Sequence, residues 1–281
     1  MTENAFPYSG GKSRLAGWIT EKFPRHKVYC EPFGGSASVL VNKEPSEIEV
    51  YNDLDERVVN FFRVFRDQTD ELVDWLNRTP YSRQLHDEIA DRYFPQGDSE
   101  MPEDDVARAG MFFYLRYTQL MAKNGGKSGF QSTVRRNNAL TFRNATDNLT
   151  SLVERFHDVV IENRDYARIF EHYDAPDTLF YCDPPYLEKG TDWYEGEFDH
   201  EEFWEEIADL DGYAMVSYMA VPDYVPIDEY EVLERTFAQN QNAAHADESI
   251  EDTDRVEKLI LNFDPKAHHK HMIPHDSATD W

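Results

Sequence analysis

The sequence predicts an α/β protein with a mostly parallel sheet covered by helices on both faces and interrupted once by a helical, basic insert. Three observations predict it. Short apolar runs of strand length alternate with helical patterns. One of those runs ends in a glycine turn that opens a helix pattern. From about residue 61 to residue 150 the alternation stops.

The runs Lys27–Glu31, Ile48–Asn52, Val159–Asn163, Thr178–Cys182, Tyr213–Ser217 and Lys258–Phe263 have the length and β-rich composition of strands. Between them, Ser36 to Asn42 opens a helix after the glycine pair. Glu56 to Arg66 has amphipathic spacing through Val58, Val59, Phe62 and Phe65, and Glu201 to Leu210 is a further helix. Asp199, with Glu202 three residues on, has the form of its N-cap. The pattern divides the chain into a discontinuous domain of residues 1–60 and 151–265, an insert of residues 61–150, and a tail of residues 266–281. The insert contains the acidic interruption Gly97 to Asp105. No internal repeat is present.

The 281 residues are enough to bury a sizeable core. No stretch approaches the 18 or so apolar residues of a membrane span, and the N-terminus lacks a basic-then-apolar signal pattern, so an intracellular, cytoplasmic protein is expected. Cys30 and Cys182 are far apart and in no metal-like spacing, which disfavours both a disulfide framework and a structural zinc site. His268, His269 and His271 lie in a polar tail and read as solvated, so no metal is expected.

With 28 Lys and Arg against 55 Asp and Glu, the formal charge is −27, and only 10 of the basic residues are lysine. Such self-repulsion is relieved by molar salt, where the screening length falls to about 3 Å. A halophilic host is therefore expected, against the plainer reading of an ordinary acidic cytosolic protein. One segment stands apart. Val106 to Thr146 carries no Asp or Glu and seven basic residues, for +7 against −34 in the remainder. Its aromatics Phe112, Phe113, Tyr114, Tyr117, Phe130 and Phe142 suit a nucleic-acid face. The plainer reading is a helix over Ala107 to Met121 with its aromatics in the core.

The run Val28-Tyr-Cys-Glu-Pro-Phe-Gly-Gly-Ser36 is a strand, a glycine turn and a helix start, the shape in which a doubly wound sheet binds an adenosine-bearing cofactor. The next strand leads to Asp53, 19 residues after Gly34 and close to the spacing at which a carboxylate reaches ribose hydroxyls. The turn is not G-x-G-x-x-G, and Glu31 and Pro32 precede its glycines. A dinucleotide is thus disfavoured and S-adenosylmethionine fits better. Gly10-Gly-Lys-Ser13 and Gly126-Lys-Ser128 imitate a P-loop but lack its first glycine, Phe6 and Met121 standing there instead.

At the end of another apolar strand stands Asp183-Pro-Pro-Tyr186. The prolines force the chain out of the sheet at its carboxyl edge. There Asp183 and the Pro184 carbonyl offer acceptors and Tyr186 a stacking face, which together suit an exocyclic amine on a flat base. Accepting hydrogen bonds from an adenine N6 amine helps localise its lone pair for attack on a methyl sulfonium. The plainer reading is a strand-end turn with a packing tyrosine.

These blocks resemble those of the Dam-type (D12 class, alpha-group) DNA adenine-N6 methyltransferases, in the family's order over most of the chain. Tyr8-Ser-Gly-Gly-Lys12 resembles the N-terminal cofactor block, Glu31-Pro-Phe-Gly-Gly-Ser36 the methionine-binding block and Asn52-Asp-Leu-Asp55 the ribose block. Asp183-Pro-Pro-Tyr186 resembles the catalytic block, and Thr253 to Ile260 the closing segment. The resemblance implies a Rossmann-like S-adenosylmethionine-dependent methyltransferase domain with an inserted target-recognition domain, and the acidity adds the expectation of a halophilic archaeon or its virus as source. It implies that Tyr8, Lys12, Glu31, Phe33, Gly34, Gly35 and Asp53 line the cofactor, with Asp165 or Tyr166 beside its adenine. Asp183, Pro184 and Tyr186 would receive a flipped adenine, with direct methyl transfer and no metal. Cys182 reads as a packed neighbour.

For a double-stranded DNA partner met by a monomer, Arg116, Lys123, Lys127, Arg135 and Arg136 are candidates for phosphate contacts. Gln119, Asn124 and Gln131 are candidates for base edges. The loop Glu188 to Glu197 either closes over the base or is a plain surface loop. The rival readings are the same chemistry on RNA adenine or cytosine N4, a glutamine methyltransferase, and a DNA-binding module without catalysis.

Overall fold

The computed structural model describes residues 4–8, 10–94, 100–120, 127–185, 198–219, 221, 225–238 and 254–268. A short helix α1 (Ala16–Thr20) precedes strands β1 (Val28–Glu31) and β2 (Ile48–Asn52). Five helices follow: α2 (Glu56–Asp67), α3 (Thr69–Arg78), α4 (Arg83–Tyr93), α5 (Asp105–Thr118) and α6 (Asn138–Leu152). The chain re-enters the sheet at β3 (Val159–Glu162) and continues through α7 (Tyr166–Tyr173), β4 (Thr178–Cys182), α8 (His200–Ala208) and β5 (Tyr213–Tyr218). Strands β6 (Glu231–Ala238) and β7 (Asp254–Leu261) and the single turn α9 (Pro265–His268) complete it.

The seven strands lie in the order β3-β2-β1-β4-β5-β7-β6. The first five are parallel, and β7 runs antiparallel to both its neighbours. This is a Rossmann-like, doubly wound sheet whose order reverses between β1 and β4. Alternation along each strand builds the two faces. Tyr29, Tyr51, Leu179, Tyr181, Met215, Leu259 and Leu261 join one core with the helices between β2 and β3. Their neighbours Cys30, Val50, Phe180, Cys182, Val216 and Ile260 join a second with α7 and α8.

The helical segment is not walled off from the sheet. Phe61 and Phe62 of α2 meet Phe6, Phe112 of α5 and Phe156 at ring-centroid distances of 4.9 to 5.7 Å, and Tyr51 of β2 packs on Phe62 at 4.5 Å. The expected division at residue 60/61 therefore falls inside α2. Helices α3 and α5 approach closely because Gly110 carries no side chain: a Cβ there would stand 2.3 Å from Trp75. Carboxylate caps fix the helix starts, Asp55 for α2, Asp104 for α5 and Asp199 for α8, the last accepting from the amides of Glu201 and Glu202.

Two sequence expectations are corrected. Ser36 to Asn42 is a turn that ends in one 3-10 turn (Leu40–Asn42) rather than a helix. Gly35 and Ala37 take left-handed backbone angles of 49° and 54°, and the Ser36 and Ser38 hydroxyls bond each other. Strand β6 is unforeseen: its charged residues Glu231, Glu234 and Arg235 suit a sheet edge and break the apolar run by which the other strands are recognised. In addition, β7 starts at Asp254 and stops at Leu261.

A buried ionic cluster ties the segment after α6 to the sheet. Glu49 on β2 accepts from Lys43, from the Ser46 amide and from both terminal nitrogens of Arg155, which also reaches the Leu40 carbonyl. No motif announces it.

Candidate active site

Because β1, β2, β3 and β4 are parallel and in register, the segments leaving them emerge on one edge. Glu31 pairs with Tyr51, Asn52 with Glu162, and Cys30 with Phe180. The glycine turn, Asp53, the Asn163-to-Tyr166 segment and Asp183 therefore stand side by side. The turn after β1 and the exit of β4 flank the point where strand order reverses, which is where doubly wound sheets bind ligands.

The glycine turn is pinned from beneath. The Gly34 amide donates to the Asn52 carbonyl at 2.7 Å, and the Tyr51 hydroxyl donates to the Gly35 carbonyl at 2.7 Å. A Cβ on Gly34 would lie 2.2 Å from the Tyr51 ring, and one on Gly35 would meet the Tyr8 ring at 3.0 Å. Both positions therefore require glycine, and they hold bare backbone against two tyrosines. Asp53 is buried. Its carboxylate accepts from the amides of Gly35 (2.9 Å) and Asp55 (2.8 Å), and burial pushes its pKa up to about 6 despite those bonds.

Asn52 clamps three segments together, a role that sequence reading missed. Its side-chain amide donates to the carbonyls of Pro32 and Arg164 and accepts from the Arg164 amide at 2.8 to 2.9 Å. Asn163 adds a bond to the Asp53 carbonyl at 2.8 Å.

Glu31 is placed differently from expectation. It shares a strand face with Tyr29, is 2% exposed, and accepts the Tyr29 hydroxyl at 2.6 Å, so it supports the turn from below rather than lining an open site. Burial pushes its carboxyl up to about 8.

Phe33 projects to the other side of the turn. There it meets Tyr166 and Phe198 at 5.5 and 5.6 Å, forming a half-exposed aromatic wall backed by Phe203. Asp165 is exposed and caps α7 through the Ala167 amide.

Asp183 leaves the sheet at the end of β4, followed by a buried Pro184. Lys12, itself buried, donates to both of its carboxylate oxygens at 2.7 and 2.8 Å and to the Gly10 carbonyl at 3.3 Å. Its Nζ also lies 3.5 Å from Glu257 of β7. Burial opposes the ammonium charge, but the two carboxylates more than offset it and hold the lysine protonated. Cys182 is buried and its thiol is pushed well up by that burial, which suits a packing residue rather than a nucleophile. Tyr186, the loop 188–197, His269 and His271 lie outside the described residues. Among the described residues no group of three or more His, Cys, Asp or Glu is arranged to hold a metal ion.

In the basic segment, helix α5 is buried nearly all round, from Ala109 to Arg116. Phe112, Phe113, Tyr114 and Phe142 are core residues, so the aromatic part of the nucleic-acid expectation is corrected. Arg116 is corrected too. It is 3% exposed, with its guanidinium 4.6 Å from the Phe112 ring and 5.8 Å from Tyr8, so it faces inward. Gln119 is likewise buried, in an isolated antiparallel bridge with Phe130, where the Gln131 amide donates to the Thr118 carbonyl and the Leu120 amide to the Gly129 carbonyl. Half-buried Gln131 gives its carbonyl to Tyr81 and Asn138. Arg135, Arg136 and Arg143 are exposed, and Lys127, also exposed, pairs with Asp91. Lys123 and Asn124 lie outside the described residues.

The profile of the D12 class N6 adenine-specific DNA methyltransferases matches residues 8–258. The type II methyltransferase M.CviBI of Paramecium bursaria Chlorella virus NC1A is 24% identical over 200 residues, covering 69% of this chain and 73% of the relative. The DNA adenine methylase of Haemophilus influenzae is 24% identical over 191 residues, covering 64% of this chain and 62% of the relative, so the match spans less than two thirds of that protein. Among solved structures, a precorrin 8W decarboxylase from Methanobacterium thermoautotrophicum overlaps 92% of both chains at 9% identity and a TM-score of 0.38, too low to bear on the fold.

Proposed function

Since the chain belongs to the D12 class N6 adenine-specific DNA methyltransferase family, it methylates the N6 amino group of adenine in DNA, and we propose that Asp183 and the Pro184 carbonyl accept the two N–H bonds of a target adenine turned out of the duplex. One observation carries this reading: at the point where strand order reverses, the Asp183 carboxylate is held by a bidentate bond from the buried Lys12 ammonium. The side chain of Asp183 retains 20% exposure, leaving it accessible to an incoming amine. With both N–H bonds engaged, the N6 lone pair is drawn out of ring conjugation and aimed at the methyl carbon. With S-adenosylmethionine bound, that lone pair would form the new C–N bond as the carbon–sulfur bond breaks, and one N6 proton would then leave to solvent. Tyr186 supplies the stacking face.

The family and fold imply S-adenosylmethionine as donor, which supplies a methyl group made electrophilic by positive sulfur. The residues present fit it. Gly34 and Gly35 offer backbone where a side chain would clash, and Tyr8 lies against that turn. Phe33 and Tyr166 form the aromatic wall for a purine, with Asp165 at its rim. Backbone amides of Gly35, Leu54 and Asp55 take three of the four or so lone-pair sites of the Asp53 carboxylate, which leaves capacity for a ribose hydroxyl.

Residues 61–150 form the target-recognition part, meeting double-stranded DNA as a monomer. Arg135 and Arg136, with Lys123 and Lys127, contact phosphates, and Asn124 and Gln131 contact base edges. Support comes from the segregation of charge, +7 over Val106 to Thr146 in a chain of net −27. That overall acidity supports a halophilic host, archaeal or viral, and an enzyme working inside the cell.

The test is transfer of labelled methyl from S-adenosylmethionine to unmethylated DNA in molar KCl, with Asp183→Ala as control and the product nucleoside identified. N6-methyladenine from the wild type alone is expected. Equal transfer by the variant refutes the role of Asp183.

A further inference from the structure

Glu257 plays no part in the mechanism above, yet it is a nearly fully buried carboxylate pointed at that mechanism's cation. It stands on β7, 1% exposed, and accepts the Ser217 hydroxyl of β5 at 2.5 Å. Its Oε1 lies 3.5 Å from Lys12 Nζ, whose shorter bonds go to both oxygens of Asp183. One ammonium thus serves two carboxylates, with the hydroxyls of Ser217 and Tyr181 beside it.

Placing a second buried carboxylate on one ammonium is unfavourable for folding, because desolvation is not fully matched by pairing. It is favourable for the reaction. The target amine is neutral when it arrives and becomes cationic as it forms its new bond, and a fixed negative potential stabilises the second state over the first. A lone Lys12–Asp183 pair would be neutral and would hold the Asp183 oxygens more firmly against the incoming amine. Glu257 shares the ammonium and weakens that hold.

We propose that Glu257 is a positioning residue for methyl transfer, acting through Lys12 to keep Asp183 available to the target amine. The proposal rests on the reading of Asp183 as acceptor of the target amine.

The experiment is single-turnover methyl transfer by the full chain at saturating S-adenosylmethionine and DNA in molar KCl, with cofactor affinity and melting temperature measured alongside. Glu257→Gln keeps the acceptor for Ser217 and removes one negative charge. The expected result is a rate lower by on the order of ten-fold to a hundred-fold, a cofactor Kd within about two-fold of wild type, and a melting temperature unchanged or raised. A structural role predicts the reverse on the last count, so parallel loss of rate, affinity and melting temperature overturns the proposal. An unchanged rate also overturns it. If Glu257→Gln does not fold, Ser217→Ala, which loosens Glu257 without removing its charge, is expected to slow transfer several-fold, and a wild-type rate refutes the proposal. Asp183→Asn separates the two levels. Full activity in that variant defeats the reading of Asp183 itself, whereas an inactive Asp183→Asn beside a wild-type Glu257→Gln defeats only the role of Glu257.

Discussion

Replacing Glu31 with glutamine gives a pH-dependent stability difference whose sign and size follow from burial. Glu31 lies under the glycine turn at 2% exposure, where desolvation raises its carboxyl from an ordinary 4.5 to about 8. Between those values the folded chain retains a proton that the unfolded chain has released. The stabilising contribution of the group is fully present below 4.5 and is lost as the pH rises through 8. The slope is at most about 1.4 kcal/mol per pH unit, for a ceiling of about 5 kcal/mol over the window. Glutamine keeps an acceptor for the Tyr29 hydroxyl and never ionises. Wild type and Glu31→Gln should therefore melt together near pH 4.5, and the variant should gain on the order of 5 to 10 °C by pH 9. Thermal melts by circular dichroism in molar KCl across this range test it. Repulsion among the other acidic groups is common to both proteins and cancels in the difference. Parallel melting curves at every pH would refute the reasoning.

Three further outcomes are expected. Gly34→Ala drives a methyl group into the Tyr51 ring at 2.2 Å and breaks the close approach of turn and sheet; it should cost about 1 to 3 kcal/mol by thermal melt and weaken S-adenosylmethionine binding in calorimetry. Glu49→Gln leaves Lys43 and Arg155 facing each other in a buried site; it should destabilise by about 3 to 5 kcal/mol in urea titration at high salt, while an equal midpoint would show that the cluster is not stabilising. DNA affinity should fall less steeply with KCl than the seven basic residues of 106–146 would give, because Arg116 is buried and Arg108 pairs with Asp105. A steep slope in fluorescence anisotropy would contradict this.

The parallel half of the sheet was legible because β1 to β5 are apolar runs bounded by turns, and the glycine turn and Asp183 were legible because glycine and proline leave few conformations open. The rest depends on partners distant in sequence. The segment Thr253 to Ile260 was legible as a block, but the contacts of Glu257 and Ser217 were not, since each acquires meaning only when β7 lies beside β5. The Asn52 clamp and the Glu49 cluster likewise join segments more than a hundred residues apart. Arg116 and the α5 aromatics misled for another reason. A +7 segment reads as surface, but α5 is the central helix of its layer, so its aromatics and one of its arginines turn inward and the exposed arginines are Arg135, Arg136 and Arg143, beyond Gln131.

The antiparallel insertion of β7 between β5 and β6 also bears on when the protein becomes active during its own synthesis. Lys12 emerges from the ribosome first, Asp183 much later, and the strand bearing Glu257 after both. The parallel strands can assemble on the growing chain, but the gap beside β5 stays open until β7 arrives to fill it. A product released before β7 thus carries most of the scaffold and an unfinished centre. For an activity that marks the genome, a centre completed only by β7 keeps chains aborted ahead of it inert.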